Sequence, residues 1–175
     1  MMSIVSFFWL CVFLFGLVGW MRGWAKELLV SFSAILALAL IFILRKYIPF
    51  VRDMPANDEA LFWIQTIIMI VLVYFGYQTV RIERLTGKAS RDKVQDALFG
   101  GILGGFNGYL IVGSILYWMQ EAEYPFPKFM TPPTDPAIAS TVNQMMAYMP
   151  PVVMGEPAIY FAIILAFIFV LVVYI

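Results

Sequence analysis

Long apolar stretches alternate with short polar connections along the chain. The apolar runs are Ile4–Met21, Leu28–Leu44, Leu61–Val80, Ala97–Met119 and Ala158–Ile175. Each approaches the roughly 20 helical residues needed to cross a hydrocarbon core about 30 Å thick. The first two hold neither charge nor proline over 18 and 17 residues, a pattern that soluble cores rarely sustain. The pattern predicts an all-α membrane protein, a five-span transmembrane helix bundle with a short extracytoplasmic amphipathic helix. Residues 1–119 form its four-span core, 120–157 a proline-rich outer segment, and 158–175 an additional C-terminal helix.

The connections carry the orientation. Arg22 and Lys26 follow the first run, and Arg45, Lys46 and Arg52 the second. Arg81, Arg84, Lys88, Arg91 and Lys93 follow the third, and only Lys128 follows the fourth. Connections one and three share a side and hold seven basic residues against four. Basic residues concentrate in cytoplasmic loops, which places the N-terminus and the fourth connection outside. The run of charge after the third span also reads simply as an anchor that sets topology.

The fourth connection, Gln120 to Pro157, holds eight of the ten prolines. Pro125, Pro127, Pro132 and Pro133 enforce extended backbone. Asp135 followed by Pro136 then suits a helix start, with a carboxylate at the cap and proline in the first turn. Ile138, Val142, Met145, Met146 and Met149 recur with helical spacing and make one apolar stripe. That stripe suits a helix lying flat on the outer surface, against a partner, or against its own bundle. The helix has no basic residue to attract anionic headgroups.

A glycine pattern occurs twice. Gly16, Gly19 and Gly23 end the first span, and Gly101, Gly104 and Gly108 stand in the fourth, each as Gly-x-x-Gly-x-x-x-Gly. Gly100 adds a second column with Gly104 and Gly108. These spacings lay glycines along one helical stripe, where another backbone can approach closely. A phosphate-binding loop is the competing reading, but no strand precedes either motif and no Gly-Lys-Ser/Thr follows. The two stripes therefore predict that the first and fourth spans pack together.

Polar residues gather at the cytoplasmic end of both motifs: Arg22, Lys26 and Glu27 after the first, Asp96 before the second. Asp96 reads either as a helix-terminus residue that complements the dipole or as an ion-pair partner of Arg22 or Lys26. Asn107 and Gln65 are the amides inside the spans, and an unpaired amide there is costly. Asn107 should hydrogen-bond another helix or line a polar cavity.

These motifs resemble the CvpA family, named for colicin V production. Its Gly-x-x-Arg-Gly-x-x-x-Glu element is matched by Gly19-Trp-Met-Arg22-Gly23-Trp-Ala-Lys-Glu27. Its Asp followed by a glycine-rich span is matched by Asp96 through Gly108. The resemblance covers roughly residues 1–151. Asn107 stands where the family often has a basic residue, and a fifth span is appended. The resemblance implies a bacterial inner-membrane protein linked to envelope homeostasis or bacteriocin export, with no established chemistry.

Composition narrows the functions. Hydrophobic residues are 63% of the chain and charged residues 13%, against about 25% charged in soluble domains. Histidine is absent, which removes imidazole-based catalysis and imidazole ligation of metals or haem. Cys11 lies within the first span and reads as a small packing residue. Large residues precede it and no basic residue does, which argues against lipoprotein processing and for retention of the first span. No catalytic, cofactor or metal site is expected. The leading expectation is a non-enzymatic scaffold, assembly factor or accessory subunit. Its expected partners are other integral membrane proteins, in a hetero-complex or homo-oligomer, and lipids, with no nucleic acid. The alternative is a transporter or channel component for peptide or envelope solute export, for which Asn107, Gln65 and a few hydroxyls are the midplane polar groups.

Overall fold

A computed structural model describes residues 4–78, 93–126 and 132–174, without the side chains of 169, 170 and 172–174. All regular elements among them are helices: α1 (Ile4–Arg22), α2 (Trp24–Tyr47), α3 (Pro49–Arg52), α4 (Glu59–Tyr77), α5 (Lys93–Glu121), α6 (Pro136–Met146), α7 (Pro150–Val153) and α8 (Ala158–Tyr174). The first, second, fourth and fifth of these are long and apolar enough to cross a membrane. The last is apolar throughout but shorter, at 17 residues. The five apolar runs thus resolve into four full-length candidate spans and this shorter helix. Arg81, Arg84, Lys88, Arg91, Lys128, Val80 and Ile175 lie outside the described residues.

Local chemistry sets the breaks. Gly23 has φ 84° and ψ 158°, a region essentially open only to glycine. One residue therefore ends α1 and starts α2, so Lys26 and Glu27 enter the helix that the apolar run alone would begin at Leu28. The second helix stops at Tyr47 because Pro49 drives Ile48 into extended backbone, with φ −92° and ψ 111°. Asp58 accepts from the Ala60 amide at 2.7 Å and caps α4. Asp135 accepts from the Ala137 amide at 2.8 Å and caps α6, with Pro136 in the first turn. Each such cap contributes about 1 kcal/mol.

The long fifth helix is the hub. It packs along α1 on one side and α2 on the other, while α4 and α8 lie against α2. Gly19 faces Gly100 and Gly104, and farther along Gly108 faces Phe15 and Val12, so α1 and α5 are antiparallel. Ser31 meets Asn107 and Arg45 meets Glu121, so α2 and α5 run parallel. One end of the bundle gathers Arg22, Gly23, Tyr77 and Asp96. The other gathers α3, α6, α7 and the start of α8.

The 120–157 segment packs on its own bundle. Val142, Met146 and Met149 are buried, each worth roughly 1.5–3 kcal/mol against exposure to water. Gln120 Nε2 donates to Asn143 Oδ1 at 2.7 Å, and the Tyr109 hydroxyl donates to the Tyr148 carbonyl at 2.6 Å. The start of α8 is tied to α2 by the Lys46–Glu156 ion pair and by the edge-on contact of Tyr160 with Phe42. Beyond that, Phe161, Leu165 and Phe167 are exposed.

Candidate functional site: a buried carboxylate beside a glycine seam

The seam comes first because it sets how closely the helices approach. A side chain on Gly104 would collide with the Gly19 Cα at 2.9 Å, and one on Gly108 with the Phe15 Cβ at the same distance. A Cβ on Gly100 would lie 3.0 Å from the Gly23 Cα. Gly16 and Gly101 are less crowded, with nearest approaches of 3.4 Å to the Gly101 carbonyl and 3.3 Å to the Trp20 ring. The glycines thus let α1 and α5 pack backbone to backbone, and this surface is used inside the chain.

Glu27 is fully buried in the first turn of α2. The single-residue break at Gly23 brings Arg22, at the end of α1, back onto it. Arg22 Nη1 donates to Glu27 Oε1 at 2.7 Å, a charge-assisted bond of the strong class. Arg22 Nη2 donates to the Tyr77 carbonyl at 3.3 Å, and its guanidinium lies 4.3 Å from the Tyr77 ring centroid. Asn107 reaches the same carboxylate from α5. Its Nδ2 donates to Glu27 Oε2 at 2.8 Å and to the Glu27 carbonyl at 2.9 Å. Its Oδ1 accepts from Ser31 Oγ at 2.6 Å. Turning the amide over would set its oxygen against the carboxylate, so the network selects one orientation.

Among the described residues every buried polar side-chain atom of this cluster has a partner, and its charges are one cation and one anion. The first turn of a helix also favours a negative side chain. The arrangement joins α1, α2, α4 and α5, and its carboxylate and amide, Glu27 and Asn107, are fully buried.

Asp96 does something else. Its Oδ1 accepts from the Trp24 amide at 3.1 Å, and so caps α2 from a different helix. Gly23 has no side chain to do so, and any Cβ there would lie 2.6 Å from Asp96 Oδ2. The pairing of Asp96 with Arg22 or Lys26 is not formed. Among the described residues Arg22 pairs with Glu27, while Lys26 is exposed and joins no ion pair. The reason is geometric: Asp96 points at an uncapped helix start, and Glu27 is the nearer carboxylate to Arg22.

Gln65 lies away from this cluster, toward the opposite end of the bundle. It is buried on α4, its Nε2 has no hydrogen-bond partner among the described residues, and it lines a cavity. Ser31, Tyr77 and the Arg45–Glu121 pair escaped the sequence reading. Ser31 carried a signal, standing one helical turn after Glu27 on the same face.

The model of the family described as colicin V production protein matches residues 6–133. The chain belongs to the colicin V production protein family. No curated protein and no solved structure matches it. The match stops short of the 151 residues over which the resemblance was drawn. It spans α1 to α5, and therefore the glycine seam, the Glu27 cluster and the Asp96 cap. Helices α6, α7 and α8 lie beyond it. In this member of the family the two motifs are halves of one structure, since Glu27 of the first is bound by Asn107 of the second. A basic residue at position 107 would meet the same carboxylate.

Proposed function

We propose that this colicin V production family protein is a non-enzymatic integral membrane protein serving as a scaffold, assembly factor or accessory subunit of a larger membrane complex. The observation that carries the reading is α8. It is apolar on all sides, its principal contact is with α2, and Phe161, Leu165 and Phe167 stand exposed. A helix apolar all round requires lipid or protein on every face. The glycine seam serves internal packing and the Glu27 carboxylate is held within the bundle, so the reading assigns association to α8 rather than to either motif. The partners are other membrane proteins, in a hetero-complex or a homo-oligomer, within the bacterial inner membrane.

The test compares the full chain with one ending at Pro157, each extracted into lipid nanodiscs and sized by native electrophoresis. The reading expects a large assembly with the full chain and a smaller particle without α8. A monomeric full chain that conducts solute in proteoliposomes would refute it and favour a transport component.

For orientation, the reading places the N-terminus and the 120–157 segment outside the cytoplasm, on the basic-residue count. Cysteines introduced at Lys88 and Lys128 separate the alternatives. Impermeant thiol reagent on intact cells should label Lys128→Cys and spare Lys88→Cys, and the reverse pattern overturns the orientation.

A further inference from the structure

At the end of the bundle opposite Glu27 lies a cavity of about 370 Å³ between α2, α4, α5 and the α7–α8 segment. It is within the range of small-molecule sites, roughly 300–1,000 Å³. Its wall follows α2 from Leu38 to Arg45 and Lys46, about two helical turns or some 10 Å of depth. Arg45 and Lys46 therefore stand at one end of this wall and Leu38 at the other. Trp118 closes the α5 side, and it is buried.

Two features point to a ligand with polar atoms at two depths. Gln65 is 2% exposed and its Nε2 donates to nothing among the described residues. A buried amide left without an acceptor costs about 1–3 kcal/mol, which an acceptor entering the cavity would recover. At the mouth, Arg45 is held by Glu121 only through a 3.5 Å contact, and Lys46 pairs with Glu156 at an exposed position. The lining carries Arg45, Lys46 and Glu156, and although Glu121 and Glu156 balance the two cations, the guanidinium and the ammonium keep further N–H donors for an oxyanion.

We propose that this cavity binds one glycerophospholipid, with its phosphate between Arg45 and Lys46 and an acyl-ester carbonyl accepting from Gln65. A phospholipid offers this pair of acceptors, an oxyanion and a carbonyl one step nearer the apolar chains. The volume takes the phosphate and glycerol-ester region beside Leu38, Phe42 and Trp118, and the acyl chains continue into the bilayer. An anionic headgroup such as phosphatidylglycerol brings its phosphate to these donors with no further cation, whereas phosphatidylcholine brings a fixed positive charge close to Arg45 and Lys46.

The experiment uses the whole chain in nanodiscs of phosphatidylcholine, with Trp9, Trp20, Trp24 and Trp63 changed to phenylalanine so that Trp118 alone fluoresces. Phosphatidylglycerol brominated near the ester end of its chains is then added at low mole fraction, with equally brominated phosphatidylcholine as the comparison. We expect Trp118 quenching to favour phosphatidylglycerol several-fold, and Gln65→Leu or Lys46→Gln to remove that preference. Native mass spectrometry of the otherwise unaltered chain provides a second readout that does not depend on the tryptophan variant folding. One retained phosphatidylglycerol should appear on the native chain and be lost from Gln65→Leu. Equal quenching by both lipids, or equal adducts on native and variant chains, overturns the proposal. Displacement by inorganic phosphate alone overturns the lipid assignment and identifies a free oxyanion as the ligand.

Discussion

Replacing Arg22 with methionine isolates the energetics of the buried carboxylate. Methionine preserves most of the volume and removes the charge. In the native protein Glu27 is fully buried and receives two donors, Arg22 Nη1 on one oxygen and Asn107 Nδ2 on the other. Without Arg22 the carboxylate keeps one neutral donor and no counter-charge. Removing one partner of a buried ion pair costs about 3–5 kcal/mol. The complementary change, Glu27→Met, is milder. Arg22 is 22% exposed and retains the Tyr77 carbonyl, while Asn107 keeps its bond to the backbone carbonyl of residue 27. That variant should cost about 1–2 kcal/mol. The double variant leaves no buried charge at all and should also cost about 1–2 kcal/mol. It should therefore be more stable than Arg22→Met alone, with a coupling of about 3–5 kcal/mol. Unfolding in dodecylmaltoside by increasing sodium dodecyl sulfate, followed by far-UV circular dichroism, measures all three variants. Lys26→Met, at an exposed position that joins no ion pair among the described residues, is the control and should stay within about 0.5 kcal/mol. A double variant that loses the plain sum of the two single losses would show that Arg22 and Glu27 act independently.

Further outcomes follow from the same geometry. Gly104→Ala should destabilise the bundle by about 1–3 kcal/mol through overpacking, whereas Gly105→Ala should be neutral or stabilising by up to about 1 kcal/mol. The nearest atom to a Cβ at Gly105 is 3.9 Å away, and the same unfolding assay ranks the two. Asp96→Ala should cost about 1 kcal/mol as a lost cap, and adding Arg22→Asp to Asp96→Arg should give no rescue. A rescue in that double variant would restore the ion-pair reading. The carboxyl of Glu156 is held below the usual carboxylate range by the hydrogen bond from Lys46. A depressed carboxylate stabilises the folded contact above its unfolded value, near pH 4.3, and loses that contribution as pH falls through the folded value. Spin labels at Leu36 and Phe167 should thus report a broader α2–α8 distance distribution near pH 3 than at neutrality, with little pH dependence in Glu156→Gln. The effect should be small, because exposed ion pairs contribute little.

What could be read from the chain was what local chemistry dictates. The apolar runs announce helices, Asp135-Pro136 announces the start of α6, and the glycine columns mark where two backbones can approach. Asp96 shows the limit. Its neighbours in sequence identify it as an acid near a helix start, but the helix it caps is α2, whose first amide stands 72 residues earlier. No local pattern reveals a cap supplied in trans. Glu27 shows the same limit. Its place beside Arg22 is evident along the chain, while its complete burial depends on α5 arriving between α1 and α2. The cavity beside Gln65 depends on Pro151, Met154 and Glu156 folding back across α2, and their spacing carries no sign of it.

The hub position of α5 has a consequence for the order of assembly. α1 and α2 adjoin in sequence yet touch each other little; α1 packs chiefly on α5, and α2 divides its packing between α4 and α5, which begins at Lys93. On the ribosome the first two spans must therefore wait in the membrane without their common neighbour. Through that interval Glu27 has one partner within reach, the arginine five residues before it. That contact offsets the carboxylate's charge while Asn107 is still unmade. The glycine faces of α1 stay open until α5 is inserted and fills them from the opposite direction. An early truncation of this chain would leave them uncovered, in a form that membrane quality control could recognise.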